Sequence, residues 1–457
     1  MAQKHKFDYD LIVIGSGAAG STAALAATKK GKKVALIDGD VFGGESANWR
    51  DVPSMALLEA TNLFTSARHG SRFGLRSATL GYNYPAILAW RDKAIKRGGS
   101  ADNRKFYESA GITTYASNAY FLTPHEISVN RTHLTADKFV IATGTHFASP
   151  DTYGIETVKY HTLRTIFDTK RIPRNLFIVG SGPEAIEYAN IFAALGSKVY
   201  ISEKAVHILP DFDQEVGALL ADYLHEALGV NILTQTQVSE VAPKGVGTNI
   251  TYTRGAVSRN VQVDSVLYSE NRTPTVDLGL ENAAVEYTMA GISVDDHLRT
   301  SARHIYAAGS VTSPNVGTQV AMLQGRSAAF NLYSKSPSNP DQSLIPRLIH
   351  TNPGVASVGL SGIDCLKRDL AINSAVVPLS QIPRSNTSDF TKGFVKLIAD
   401  KKGQLLGGTI VAPHASEMIQ EITLALAQNL SAAEIARLPH GFLSWSEAIR
   451  AAASKLA

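Results

Sequence analysis

The chain has 457 residues, 18% of them charged, a formal net charge of +4 and a single cysteine. That length predicts about three domains, and a hydrophobic fraction of 44% supplies several cores. The small positive excess forms no dense basic tract, which speaks against nucleic-acid binding, and one thiol, Cys365, excludes an intrachain disulfide and any Cys-rich zinc centre.

A lone cysteine also suits a reducing compartment. The N-terminal Met-Ala-Gln-Lys-His-Lys-Phe leads into a short apolar run, Leu11 to Ile14, too short for a signal peptide. No apolar stretch reaches about 18 residues, so no membrane insertion is expected. The thirteen histidines show no HExxH spacing, and no metal site is expected. The expectation is a soluble cytoplasmic protein.

In chain order, Leu11–Ile14 reads as a strand and Gly15-Ser-Gly17-Ala-Ala-Gly20 as a tight turn. A helix is predicted over Ser21–Lys30, ending near Gly31, then a strand over Lys33–Asp38. Pro85–Gly98 reads as a helix, and Phe139–Gly144 as a buried strand ending in Ala142-Thr143-Gly144. The pattern then repeats. Leu176–Val179 is a strand, Gly180-Ser-Gly182-Pro-Glu-Ala185 a turn, Ile186–Leu195 a helix closed by Gly196, and Lys198–Glu203 a strand. Val230–Leu267 alternates apolar and polar residues as hairpins do. Ser301–Gly309 is a strand reaching a Gly turn, with a helix from about Gln319. Tyr333–Asp341 is a Ser- and Pro-rich linker. Strands at Phe394–Ile398 and Leu405–Val411 follow, then helices at Ala415–Asn429 and Ser431–Arg437 and a helical tail from Ser444.

The repeated unit carries chemistry. In Gly15-x-Gly17-x-x-Gly20 the first Gly permits the turn, the second admits a pyrophosphate, and the third lets helix and strand pack closely. The helix N-terminus faces the phosphates, and Asp38 accepts from an adenosine ribose. Asp38 lies 23 positions after Gly15, and Glu203 lies 23 positions after Gly180. Glu203 favours a free ribose 2′-OH, hence NAD(H); Lys204 beside it suits a 2′-phosphate, so NADP(H) stays open. Two dinucleotide sites in one chain point to a flavin and a nicotinamide, between which hydride passes readily.

From about Tyr9 to its C-terminus the chain resembles the pyridine nucleotide–disulfide oxidoreductases, flavoproteins with two dinucleotide-binding domains. Supporting matches are Ala142-Thr-Gly144, Asn271-Arg272-Thr-Pro274, Ala307-Ala-Gly309 and Pro353-Gly-Val-Ala-Ser-Val-Gly359. The resemblance implies an α/β fold: two Rossmann-like domains, for FAD and NAD(P), and a C-terminal α+β dimerisation domain, hence a homodimer. The implied domains are residues 1–148 and 271–335 for FAD, 149–270 for NAD(P), and 342–457 for dimerisation. FAD would then be held by Gly15, Gly17, Gly20, Asp38, Gly43, Gly44, Ala142, Thr143, Gly144, Arg272, Gly309 and Ser310. Gly180, Gly182, Glu203 and Lys204 would hold the nicotinamide dinucleotide.

The departures from the family pattern are informative. The two cysteine positions are Ser46 and Asp51, and the Lys position is Met55, which leaves its usual partner Glu187 alone. The acid/base His position is Phe442, which leaves Glu447 no His to orient. Ser310 stands where the family carries the Asp that bonds the ribityl chain. A hydroxyl and a carboxylate form neither the disulfide nor the thiolate–flavin charge-transfer pair, and a phenyl group has no proton to transfer. The candidate catalytic residues are therefore Asp51, Glu187, Ser46 and Glu447. Asp51 either tunes the flavin or pairs with Arg50. Glu187 either lies by the nicotinamide or is a solvated helix position. Trp49 and Trp445 either line an acceptor pocket or pack a core, and Cys365 reads as structural.

Two functions compete. One is an FAD-dependent NAD(P)H oxidoreductase that passes electrons from the flavin directly to a small acceptor such as a quinone, oxygen or a second nicotinamide. Soluble transhydrogenase is the family precedent for dispensing with the full thiol pair. The other is a catalytically retired paralogue kept as a nucleotide-binding or sensing dimer.

Overall fold

Both glycine turns join a strand to a helix in the computed structural model, which describes residues 6–76, 80–98 and 104–457. Residues 1–5 of the N-terminal stretch read above lie outside the described residues. The chain divides into two compact units, one of Met1–Ala56, Leu88–Ser149 and Asn271–Gln342, the other of Leu57–Ile87, Pro150–Glu270 and Ser343–Ala457.

The first unit is built on a sheet whose parallel strands are, in spatial order, Thr113–Ala116, Val34–Asp38, Tyr9–Ile14, Thr132–Ile141 and Ile305–Ala307. An antiparallel meander, Ala119–Thr123 and Glu126–Val129, joins through Thr132–Ile141. The central strands read as continuous apolar runs because both faces are covered. Ile12, Ile37, Phe139 and Ile305 pack on one side, and Leu11, Leu36, Val140 and Tyr306 on the other. The first helix runs Ala18–Thr28, and Thr318–Asn331 packs directly on it. Gly325 makes that approach possible: a Cβ there would lie 2.0 Å from Ala19 O.

The second unit holds a parallel sheet in the order Asn231–Leu233, Lys198–Ser202, Asn175–Val179, Ser265–Tyr268, His161–Thr162. The alternating segment forms the antiparallel strands Thr236–Lys244, Gly247–Arg254 and Val257–Val263. A five-stranded antiparallel sheet follows, ordered Arg347–Ile349, Gly354–Gly359, Leu405–Ala412, Phe394–Asp400, Ile372–Pro378. The helices Ala415–Ala427 and Glu447–Ser454 bury Ile419, Ile422 and Ile449 against Val395, Leu397 and Ile410.

Several boundaries differ from expectation for local reasons. The fingerprint helices start earlier, at Ala18 and Pro183, because Gly17 and Gly182 are already their N-caps and Pro183 is preset for the first turn. The helix predicted to Asn429 ends at Ala427, and Asn429 takes a left-handed φ of 52° beyond it. The tail starts at Glu447, because Leu443 turns the chain with a φ of 62°. The short helix Ala432–Arg437 is opened by a capping box of Ser431 and Glu434. Among the described residues, no helix is long and apolar enough to cross a membrane.

Candidate functional site

The two glycine turns have the same geometry. Gly15 and Gly180 have φ of 99° and 98°, and Gly17 and Gly182 are extended N-caps with no side-chain cap. The first-turn N–H groups of both helices are therefore left for an outside acceptor. The space in front is open: a Cβ on Gly182 would meet nothing within 4 Å, and one on Gly17 only Gly44 Cα at 3.9 Å. Backbone donors, a positive helix end and room without side chains fit a dinucleotide pyrophosphate.

Each turn is tied to its acid through the residue between the glycines. Ser16 donates from both N and Oγ to Asp38 Oδ2, at 2.7 and 2.6 Å. Ser181 Oγ donates to Glu203 Oε2, while Ala205 N donates to Oε1 at 2.7 Å. Both acids thus bond to the serine of their own turn.

The other residues read as flavin-binding converge on the first turn. Gly44 has a φ of 65°, and a Cβ there would lie 2.6 Å from Gly17 Cα. Ala142 O lies 2.2 Å from the Cβ position of Gly15. Thr143 Oγ1 donates to Thr275 O at 2.7 Å, and the strand Arg272–Pro274 pairs antiparallel with Thr145–Phe147. Gly309 N donates to Gln324 Oε1 at 2.8 Å, and Ser310 Oγ lies 3.8 Å from the Cβ position of Gly144. Sequence reading missed Gln324, a buried polar residue on the helix predicted from about Gln319.

The segment that would carry the thiols holds a chain of ions. Arg272 NH1 meets Glu45 Oε1 at 2.6 Å, and Arg50 NH1 meets the same oxygen at 3.3 Å. Arg50 Nε donates to Asp51 Oδ1 at 2.8 Å. Thr318 Oγ1 donates to Asp51 Oδ2 at 2.6 Å, and Arg50 also reaches Thr318. Crowding by protein would raise the Asp51 pKa. The Arg50 guanidinium, with hydrogen bonding from Arg50, Ser46 and Thr318, outweighs it and holds the carboxyl below its ordinary value. Ser46 and Asp51 are thus brought together, as the positions of a pair. Glu45, Arg50 and Thr318 join them, although no motif marks them.

Two readings need correction, both in the second unit. Glu187 is neither alone nor solvated. It is 7% exposed, and its Oε1 accepts from His350 N at 2.7 Å. Glu447 is not left idle by the loss of a His. It opens the last helix, and its Oε2 accepts from Leu443 N at 3.0 Å, bracing the turn that carries Phe442. Phe442 itself is 79% exposed. His440, two residues earlier, is pinned by Glu421 Oε1 at 2.6 Å and Leu438 O at 3.0 Å. Trp445 is buried core, edge-on to Phe390, whereas Trp49 is half-buried after the short helix Gly44–Asn48. Cys365 is buried in Gly362–Lys367, where burial and the charges of Asp364 and Asp213 push its thiol pKa up, which suits an inert residue.

The family description "Pyridine nucleotide-disulphide oxidoreductase" matches residues 9–326, and its dimerisation domain matches residues 345–453, which supports a homodimer. A dihydrolipoyl dehydrogenase of Thermus scotoductus is 31% identical over 454 residues, 98% of this chain and 97% of that one. A mercuric reductase of Streptomyces lividans is 30% identical over 469 residues, 99% of this chain and 97% of that one. Among solved structures, LpdA from Mycobacterium tuberculosis is similar with a TM-score of 0.87 and 28% identity, covering 98% of this chain and 99% of that one. The HOCl-induced flavoprotein disulfide reductase RclA from Escherichia coli shares the fold, with a TM-score of 0.86 at 24% identity over the same shares. The chain belongs to the pyridine nucleotide–disulphide oxidoreductases, a family of oxidoreductases that bind FAD and a pyridine nucleotide.

Proposed function

We propose that the protein is an FAD-dependent NAD(P)H oxidoreductase that works without a redox-active disulfide and delivers electrons from the flavin to a small acceptor. A quinone, oxygen or a second nicotinamide has the required chemistry. The observation that carries this reading is Asp51, a carboxylate held by Arg50 and Thr318 where a flavin-proximal thiol would be needed. The only cysteine, Cys365, belongs to the C-terminal sheet unit.

When bound, FAD supplies hydride acceptance from the reduced nicotinamide and onward transfer of the electron pair. The protein's part is positioning and electrostatics. Gly17 and Gly182 open the helix ends to the two pyrophosphates, and Asp38 and Glu203 accept from ribose hydroxyls. Ser310 offers a hydroxyl to the ribityl chain in place of a carboxylate. Glu203 favours NAD(H) over NADP(H). Asp51 is ionised at neutral pH and Phe442 has no proton, so protons taken up by the reduced acceptor come from solvent. Ser46 lies beside Asp51, and Glu187 and Glu447 act by bracing main chain.

The test is the visible spectrum of the purified protein, followed by anaerobic addition of NADH or NADPH. A yellow protein bleached by one of them supports the reading and names the donor. A colourless protein, or a flavin that neither donor reduces, favours the retired nucleotide-binding dimer.

A further inference from the structure

The two glycine turns are alike in shape but not in what they face. Ile14 is in register with Ile141, and Val179 with Tyr268. The residues that follow occupy matching places: Ala142 and Thr143 beside the first turn, Ser269 and Glu270 beside the second. At Gly15 the missing Cβ points at main chain. At Gly180 it points at side chains, with Glu270 Oε1 and Ser269 Oγ each 2.6 Å from the Cβ position. Ser269 is committed to Val179 O at 2.8 Å. Among the described residues the Glu270 carboxyl makes no hydrogen bond and no ion pair.

Glu270 therefore differs from Glu203, which has a donor on each oxygen. It also differs from its counterpart Thr143, which is neutral and bonded. Part of the Glu270 side chain is open to solvent. Crowding around the carboxyl and the Glu203 charge raise its pKa, and Lys204 opposes them. Glu203 and Lys204, just after Lys198–Ser202, are the charged groups that act on it; the helix that the turn opens carries a further acid, Glu184, in its first turn. A dinucleotide brings two phosphate charges to this turn, and the N-terminus of Pro183–Ala194 attracts them. An ionised carboxylate without a partner repels them.

We propose that Glu270 makes pyridine-dinucleotide binding at the second turn proton-linked: the turn accepts the pyrophosphate with Glu270 neutral, and ionisation of Glu270 opposes it. The proton comes from solvent. This rests on the reading of that turn as the NAD(P) site and adds its control by pH. The pyrophosphate of NAD⁺ keeps its charge between about pH 5 and pH 9, so with NAD⁺ the linkage lies in the protein; NADP⁺ adds a 2′-phosphate that itself titrates near about pH 6.

The experiment is calorimetric titration of the flavin-loaded protein with NAD⁺ and with NADP⁺ across that range, for the wild type and Glu270→Gln. Each titration is run in two buffers of different ionisation heat. The expected result is a wild-type Kd that weakens toward about tenfold per pH unit above the Glu270 ionisation, with uptake of close to one proton per dinucleotide there. Glu270→Gln should bind with a flat pH profile, more tightly than the wild type at high pH. A flat wild-type profile without proton uptake overturns the proposal, and so does an NAD⁺ slope that survives in Glu270→Gln. If neither protein binds either dinucleotide at any pH while both retain flavin, the nicotinamide reading of this turn fails as well.

Discussion

Ser16 and Asp38 are joined twice, because the main-chain N–H and the hydroxyl of Ser16 both donate to one carboxylate oxygen, at 2.7 and 2.6 Å. Ser16 Oγ also accepts from Gly43 N at 3.0 Å. One hydroxyl thus links the turn, the acid and the Gly43-Gly44 pair. Ser16→Ala should weaken FAD binding about tenfold and lower stability by about 1–2 kcal/mol, since it leaves Gly43 N and Asp38 each short of a partner. Equilibrium dialysis of flavin and a urea melt measure the two effects. An unchanged flavin affinity would show that the turn keeps its shape without this hydroxyl.

Gly44→Ala should be worse. The new Cβ would meet Gly17 Cα, a main-chain atom, at 2.6 Å and at a φ of 65°. Neither side has a flexible group that moves aside. The expected cost is at least about 1–3 kcal/mol together with loss of bound flavin. Gly31→Ala is the control: its φ is 73° but nothing lies within 4 Å, so only about 1 kcal/mol of backbone strain is expected. Melting temperature and flavin absorbance of the purified variants separate the cases.

Asp51 has a pH signature. Its folded pKa lies below the ordinary value, so its contribution to stability is present above that ordinary value, about 4. It is lost as pH falls through the folded pKa. The Asp51 side chain is 39% exposed, which limits the contribution to about 1 kcal/mol or less. Asp51→Asn should therefore be slightly less stable than wild type at about pH 7, and the gap should close below about pH 4. A gap that stays constant across that range would mean that the ion pair with Arg50 contributes nothing.

Lys396 meets Asp213 Oδ2 at 2.8 Å, with side chains only 11% and 4% exposed, and it also reaches Glu215. Asp213 in turn accepts from Gly362 N and Ile363 N, at 3.2 and 3.1 Å. Lys396→Met leaves a buried carboxylate without its cation and should cost about 3 kcal/mol. Adding Asp213→Asn should recover part of it. A chemical denaturation cycle over the four proteins reads the coupling directly.

Phe442→His alone should restore no disulfide reductase activity. The Glu447 carboxylate is already taken by Leu443 N, and the chain has no second thiol. Lipoamide and glutathione disulfide turnover, followed by NADH oxidation, are the assays. Measurable turnover in this variant would refute the view that the missing thiols are the limiting loss.

Much of this architecture is local, and local patterns carry it. A strand, Gly-x-Gly, a helix and an acid 23 positions on form one parallel unit because each step constrains its neighbour. The same reasoning read Cys365 as structural but left Trp445 open between an acceptor pocket and a core, since packing depends on what covers a residue. Glu187 shows the limit. Its helix is buried along most of its length, so no polar face in the periodicity marks where Glu187 points.

By itself the sequence determined the two glycine turns, the acids 23 positions on, and the loss of thiols, His and Lys from the family pattern. Those are matters of residue type and short spacing. Only the tertiary structure decided what stands in their place. Thr318 reaches Asp51 across 267 residues, and Glu270 comes to rest on Gly180 because two parallel strands end side by side. Contacts between segments that far apart are set by sheet register and helix packing, which no local pattern encodes.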